Sequence, residues 1–401
     1  MSVLDHAIWW QVYPLGACGA PIRPGQEPGA GSRLGRLEAW LPYAVELGCS
    51  GLLLGPVFAS SSHGYDTTDH FRIDPRLGTD QDWERFVAAV HDRGLLLMLD
   101  GVFNHVGAAH PMVTADGPVR RDGDQHRGWE GHPELAELDH SDPRVAELVV
   151  DVMRYWLDRG ADGWRLDVAY AVPGWFWAQV LAEVRRTHPG MTTLGEVIHG
   201  DYAAIAQAGT LDAVTGYELW KAIWSAIADR NAWELAWAME RHHDFSARLG
   251  PDRILQTFVG NHDVTRVASQ VGDTGAALAA AVLLTVPGMP SVYYGDEQGF
   301  RGVKGEGVGA DDPVRPELPP APAQLAPYGW WLYRLHQELI ALRRRNPWLT
   351  RGDLSVLDKT NTCLTYQVAG AGHRLEARLD LDQQRVEVRI DQERVFAFPG
   401  A

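Results

Sequence analysis

Four short polar clusters stand out in this 401-residue chain because each joins a carboxylate to groups that could tune it. They are Asp100-Gly-Val-Phe-Asn104-His105, Gly163-Trp-Arg165-Leu-Asp167, Gly195-Glu196-Val197 and Phe258-Val-Gly-Asn261-His262-Asp263. Arg165 and Asp167 are two apart, so on a strand both side chains point to one face. A buried acid beside a fixed cation stays ionised in one orientation, which describes a carboxylate nucleophile. Glu196 could be the second acid, kept protonated by a neighbouring carboxylate such as Asp263. Two carboxyls with pKa values pushed apart are what cleavage of a glycosidic bond requires. A separation of ~5–5.5 Å would mean double displacement with retention, and ~6.5–9.5 Å inversion.

Taken singly, these residues decide little. A lone Asp or Glu at a strand end is more often a helix cap or a solvated loop residue. His105 or His262 alone is more often structural, and Asp100, beneath Asn104, reads as a structural hydrogen-bond acceptor. The weight lies in the conjunction of suitable residue types at four successive strand ends.

The elements that must position them are readable too. Continuous apolar runs at 7–13, 51–57, 95–102, 163–168, 192–197, 213–219, 254–259 and 290–294 have the pattern of strands buried on both faces of a parallel sheet. Helical periodicity lies between most of them, at 80–93, 142–160, 173–186, 276–286 and 330–345. In the second of these, Asp142 is a natural N-cap, Pro143 sits at the first helical position and Gly160 supplies the stop. Strands alternating with helices in this way predict an α/β fold, a (β/α)8 TIM barrel, whose reactive groups come from the C-terminal strand ends. The rival is a doubly wound sheet, against which no GxGxxG follows the first strand. Residues 105–141, rich in Gly, Pro, His and Asp, read as a long irregular insertion after the third strand. After residue 345 the period becomes two, which predicts a small C-terminal antiparallel β domain over 346–401.

Composition narrows the function classes. With 36 Lys+Arg against 52 Asp+Glu, the formal charge is −16, a surface that repels phosphate backbones and anionic membranes. No window reads as the ~20 apolar residues that span a bilayer. Neither nucleic acid nor membrane is therefore expected as a partner. The N-terminal stretch lacks a basic leader and a secretory apolar core, which predicts a cytoplasmic protein. Cys18, Cys49 and Cys363 are widely spaced and odd in number, and there is no CxxC or HExxH. Neither a disulfide framework nor zinc is expected.

With these motifs in view, DGVFNH, GWRLD, GEV and FVGNHD resemble, in order, the four signature regions of the α-amylase family of glycoside hydrolases, family 13. HGYDTTDHFRIDPRLGT at 63–79 and YYGDEQGFRG at 293–302 are also similar to that family, and the resemblance covers roughly residues 7–345. It implies that Asp167 is the nucleophile, that Glu196 protonates the leaving oxygen and then activates water, and that Asp263 holds the distorted sugar and stabilises the transition state. It further implies that Arg165 orients Asp167, that His105 and His262 hydrogen-bond the sugar at the −1 subsite, and that Tyr65 stacks under that ring with Asp66 in support. Residues 105–141 correspond to the family's inserted B domain, dividing a barrel of 1–104 and 142–345, with 346–401 as its C domain. Both small domains look short, so an open cleft is expected.

GWRLDVA followed by Trp175 and Trp177 is similar to the cyclomaltodextrinase, neopullulanase and maltogenic amylase branch, which normally carries an N-terminal β domain not seen ahead of the first strand here. Val168 after the nucleophile is common in relatives that accept α-1,6 bonds, whereas Ser62 replaces an Asp usual in exo-acting α-glucosidases. Many α-amylases hold a structural calcium through the Asn of the first signature. Asn104 is present but 105–141 offers no matching ligand pattern, so no metal and no cofactor is assigned.

The implied activity is retaining hydrolysis of α-glucosidic bonds, mainly α-1,4, in malto-oligosaccharides or α-glucans. An oligosaccharide or polysaccharide is the expected partner, and the oligomeric state is left open. A transglycosylase or sugar-isomerising enzyme, such as a 4-α-glucanotransferase or disaccharide synthase, would use the same residues, because only the group that intercepts the covalent intermediate differs. A binding scaffold on the same barrel typically loses one of the three carboxylates, and all three are present. An aldolase or metal-dependent hydrolase would need a barrel-mouth Lys or an HxH pair, which the strands lack.

Overall fold

The computed structural model describes residues 3–22 and 32–400. Eight parallel strands close into a barrel: β1 (Trp9–Val12), β2 (Gly51–Leu54), β3 (Leu96–Gly101), β4 (Gly163–Leu166), β5 (Thr192–Gly195), β6 (Ala213–Thr215), β7 (Ile254–Phe258) and β8 (Met289–Tyr293). Each pairs with its sequence neighbours, and β1 closes the ring against β8, with Trp9 opposite Ser291. The helices outside are α1 (Leu41–Leu47), α2 (Asp80–Asp92), α3 (Pro143–Asp158), α4 (Gly174–Arg185), α5 (Tyr202–Gly209), α6 (Tyr217–Asp229), α7 (Ala232–Leu249), α8 (Val267–Thr285) and α9 (Trp330–Arg345). The alternation of strands and helices thus gives the (β/α)8 barrel that the pattern predicts.

Local signals fix the helix starts. Asp142 caps α3 by accepting from the backbone N–H of Arg144 at 2.9 Å, and Thr79 and Asp82 form a reciprocal capping box on α2. Near the C-terminus, β9 (Asp353–Lys359), β10 (Cys363–Gly370), β11 (His373–Asp380), β12 (Arg385–Ile390) and β13 (Glu393–Phe398) form a five-stranded antiparallel sheet.

The barrel interior changes character along the strands, and that change makes the site. Trp9, Leu53, Met98, Leu194, Ala213, Ile254 and Met289, one from each of seven strands, form a closed apolar floor. Two residues further along, on the same face, stand Gln11, Asp100, Glu196, Thr215, Gln256 and Ser291, with Arg165 in β4. All of these are buried. A dry floor under a polar layer holds the upper groups in a medium where their mutual charges count strongly.

Several boundaries differ from the sequence expectation. The sixth strand stops at Thr215 instead of 219, because Tyr217, Leu219, Ala222, Ile223, Ala226 and Ile227 are the buried stripe of α6. A short apolar run cannot by itself distinguish the end of a strand from the start of a buried helix. α8 begins at Val267, ahead of the expected 276, and bends at Gly272 (φ 73°, ψ 175°). It is also, by length and composition, apolar enough to cross a membrane, which corrects the reading that no window is. Some 67% of that stretch is buried inside the protein, as befits a core helix. The insertion at 105–141 is not irregular throughout: His105–Gly107, His132–Glu137 and Gly128–Trp129 form a small antiparallel sheet.

The turn after β8 ties the barrel to α1. Glu297 accepts from Tyr43 Oη at 2.9 Å and from the Gly295 N–H at 2.9 Å, while Gln298 donates to the same Tyr43 hydroxyl at 2.8 Å. Burial pushes the Glu297 carboxyl up to about 7. A carboxyl raised in the folded state contributes stability that is present below its unfolded value of 4.5 and lost as pH rises through 7. The loss amounts to roughly 3 kcal/mol. Glu297→Gln removes this dependence, so its deficit against wild type in urea unfolding should shrink between pH 5 and pH 8.5. An equal deficit at both pH values would refute the assignment.

Candidate active site

Arg165 is the hub of the polar layer. Its guanidinium Nη1 lies 2.7 and 2.6 Å from the two oxygens of Asp100 and 3.0 Å from Asp167 Oδ1, and its Nη2 lies 2.6 Å from Glu196 Oε1. All four side chains are buried. The two-residue spacing of Arg165 and Asp167 therefore places them as the strand period requires, and the neighbouring strand ends deliver Asp100 and Glu196 to the same cation.

Asp167 sits just beyond β4, and the next residue, Val168, has φ +39°. A β-branched residue in that region is strained. The turn aims the Val168 N–H at Glu196 Oε2, 3.0 Å away. Glu196 Oε1 also accepts from Tyr217 Oη at 3.1 Å, and Asn261 Nδ2 donates to that hydroxyl at 2.8 Å.

Three carboxyls facing one guanidinium cannot all ionise cheaply. Burial raises Asp100 to about 6, with Arg165 opposing and Glu196 adding to the rise. Asp167 is pushed up by burial and by Glu196, Asp100 and Asp263, against the pull of Arg165. The pull of Arg165 toward an ionised Asp167 is thus opposed by burial and by the neighbouring carboxyls. The partner expected for Glu196 is different. Asp263 belongs to another network, and the carboxyls sharing Glu196's cation are Asp100 and Asp167.

Asp263 follows β7 and is held by Arg315, whose Nη2 lies 2.9 Å from Asp263 Oδ1 and 3.1 Å from Asp311. Arg315 Nε donates to the His262 carbonyl at 2.8 Å, and its guanidinium lies over the Tyr13 ring at 4.6 Å. Burial works to raise Asp263, but His262, Arg315, Arg165 and Lys304 outweigh it and hold the carboxyl at about 2. His262 is itself driven down to about 3 by burial. It is therefore a neutral ring at ordinary pH, with Nδ1 3.3 Å from Gln11 Nε2.

Tyr65 is half-buried beside this pair. Its hydroxyl donates to Asp100 Oδ2 at 3.0 Å and meets His262 Nε2, with the two rings parallel at 5.4 Å. Asp66 and His105 make no hydrogen bond or ion pair with Asp100, Asp167 or Glu196. Asp66 is buried and accepts from Ser62 Oγ at 2.7 Å, which braces the loop carrying Tyr65. His105, lowered to about 4 by burial, stacks on Trp129 of the inserted sheet at 6.2 Å and meets Asn104 Nδ2 through Nδ1 at 3.2 Å.

Arg315 and Tyr217 were missed by sequence reasoning. Arg315 lies in the stretch between β8 and α9, where only short 3-10 turns occur and no periodicity marks a residue as buried. Tyr217 was concealed by its assignment to a strand. Asn104 Nδ2 lies 3.2 Å from His105 Nδ1, and among the described residues there is no group of three or more His, Cys, Asp or Glu that could hold a metal.

The family model of the α-amylase catalytic domain matches residues 29–129 and 122–326. The chain belongs to the α-amylase family. Among curated relatives of this family it is 31% identical over 364 residues to neopullulanase 2 of Thermoactinomyces vulgaris, covering 83% of this chain and 59% of that protein. It is 31% identical over 356 residues to the maltogenic alpha-amylase of Bacillus acidopullulyticus, covering 81% and 58%. The chain thus spans a little under three fifths of the length of these two α-amylase family members. Its fold superposes with a TM-score of 0.80 on the ligand-free cyclic α-maltosyl-(1→6)-maltose hydrolase of Arthrobacter globiformis, at 26% identity over 95% of this chain and 92% of that one.

Proposed function

We propose that the protein is a retaining glycoside hydrolase that cleaves α-glucosidic bonds, mainly α-1,4, in malto-oligosaccharides or α-glucans. The observation that carries this reading is the pairing of Asp167 and Glu196 on the two terminal nitrogens of Arg165. The names of the relatives support the substrate class, since they describe enzymes of pullulan, maltose-forming and cyclic maltosyl substrates.

In this mechanism Asp167, ionised and steadied by Arg165, attacks the anomeric carbon. Glu196 gives its proton to the leaving oxygen. As negative charge leaves Asp167 for the glycosyl ester, the guanidinium is freed to stabilise the newly formed Glu196 carboxylate. Glu196 then takes a proton from water, which attacks the ester and releases the sugar with its configuration kept. Asp263, held at about 2 by its cations, stays ionised throughout and can bind sugar hydroxyls and face the positive charge of the transition state. Tyr65 and His262 present a flat neutral surface against the same ring.

The expected product is decisive. Proton NMR of maltotriose with fresh enzyme should show the α-anomer of the new reducing end first, with the β-anomer growing only by mutarotation. Initial β-anomer would overturn the double displacement, and no turnover of maltotriose, starch, pullulan or β-cyclodextrin would overturn the substrate class.

A further inference from the structure

Tyr217 opens α6 at the mouth of the barrel, directly after β6 has stopped at Thr215. Its ring packs edge-on against Phe258 of β7 at 4.9 Å and against Trp220, one turn along α6, at 5.7 Å. Those contacts would hold a phenylalanine equally well. They leave the hydroxyl unexplained, and it lies in a buried polar line that runs from the end of β7 to the end of β5.

Each hydrogen bond in that line fixes the direction of the next. Asn261 Oδ1 accepts from the backbone N–H of Asp263 at 2.9 Å, which orients the amide so that Nδ2 faces Tyr217. Nδ2 donates to the Tyr217 oxygen at 2.8 Å. An amide nitrogen only donates, so the phenol proton is left to point at Glu196 Oε1, 3.1 Å away. Burial, with Glu196 and Asp263 close by, pushes the phenol well above its ordinary value of 10, and the proton stays in place at any working pH. The consequence falls on Glu196. Its Oε1 faces two donors, Arg165 Nη2 at 2.6 Å and the Tyr217 hydroxyl, which match the two lone pairs of a carboxyl oxygen. Its Oε2 faces one, the Val168 N–H at 3.0 Å, and keeps a lone pair for a proton.

We propose that Tyr217, aligned by Asn261, is a positioning residue for the general acid: its hydroxyl fills Oε1 of Glu196 and so holds the transferable proton on Oε2. The assignment rests on Glu196 being the acid of the reaction. In the transfer, the bond from Oε2 to the proton breaks as the proton joins the leaving oxygen, which takes the electron pair of the glycosidic bond. The pair left on Glu196 spreads onto Oε1, where two donors are already in place to receive the charge.

The test compares two substrates whose leaving groups need the proton to different degrees. Maltotriose releases a sugar oxygen that must be protonated as it departs, whereas α-maltosyl fluoride releases fluoride, which needs little help. The ratio kcat/KM covers the steps through that departure, so the later work of Glu196 as a base does not enter. Tyr217→Phe in the full chain keeps the ring contacts and removes the hydroxyl alone. It should lower kcat/KM on maltotriose by about tenfold or more, a part of the ~10²–10⁴-fold that a positioned acid supplies, and leave that on the fluoride within about threefold. The quotient of the two values does not depend on how much of the variant is folded. An unchanged quotient, through equal losses or through none, overturns the assignment and leaves Tyr217 a packing residue. Glu196→Gln, measured alongside, tests the reading beneath it. Selective loss on maltotriose in Glu196→Gln but not in Tyr217→Phe overturns the role of Tyr217 alone. No selective loss in Glu196→Gln removes Glu196 from the acid's role and the proposal with it, as does a wild type that turns over neither substrate.

Discussion

Asp167→Asn is expected to lower kcat on maltotriose by on the order of 10⁴-fold or more, because an amide cannot form the glycosyl ester on which both halves of the reaction depend. The same substitution should leave the folded protein at least as stable. Asp167 is one of three buried carboxyls that share Arg165, and its own carboxyl is pushed up by burial and by its neighbours. A raised carboxyl loses its stabilising contribution as pH climbs through its folded pKa, so the neutral isostere gains most over wild type on the alkaline side. Initial rates and thermal unfolding at pH 6 and pH 8 measure both effects. Turnover within tenfold of wild type would remove Asp167 from the nucleophile's role. A folded state markedly less stable at pH 8 would contradict the crowded-carboxyl account.

Removing the cation should have the opposite effect on stability. Arg165→Met leaves Asp100, Asp167 and Glu196 buried without a counter-charge, and breaking a buried ion pair from one side costs about 3–5 kcal/mol. Without the guanidinium, Asp100 and Asp167 rise further. They can take up protons at pH 5 but must be ionised or further raised at pH 8, so the deficit should be larger at pH 8. Arg165→Lys keeps one charge but loses the planar fork that reaches Asp167 with one nitrogen and Glu196 with the other. It should recover part of the stability while kcat stays depressed. Urea unfolding of the three proteins at both pH values tests this, and a Met variant within 1 kcal/mol of wild type at pH 8, on the scale of a surface pair, would refute the hub.

Much of this arrangement is legible in the chain. Continuous apolar runs alternating with period-3.6 stretches yield the barrel, and the side-chain alternation of a strand puts Arg165 under Asp167 and Leu194 two residues below Glu196. The caps at Asp142 and Thr79 show in residue types alone. Less legible is whatever depends on contacts between distant segments. Tyr217 follows an apolar run that fits strand or helix equally well, and only its packing on the barrel resolves it. Arg315, from an irregular stretch, reaches Asp263 across 52 positions. Asp66 and His105 fall in the family's motif, and their partners in the fold, Ser62 and Trp129, come from the loop carrying Tyr65 and from the inserted sheet.

The sequence by itself determined the barrel, because apolar runs and helix periodicity are local properties that burial makes visible in residue order, and it brought Asp167, Glu196 and Asp263 into view through their motifs. Only the tertiary structure decided which cation each carboxyl meets. Which acid shares which cation depends on side chains converging from separate strand ends. Asp263 goes to Arg315 while Glu196 joins Asp100 and Asp167 on Arg165. Electrostatic energies in a dry interior follow distance through space, and the order of residues along the chain carries no record of that distance.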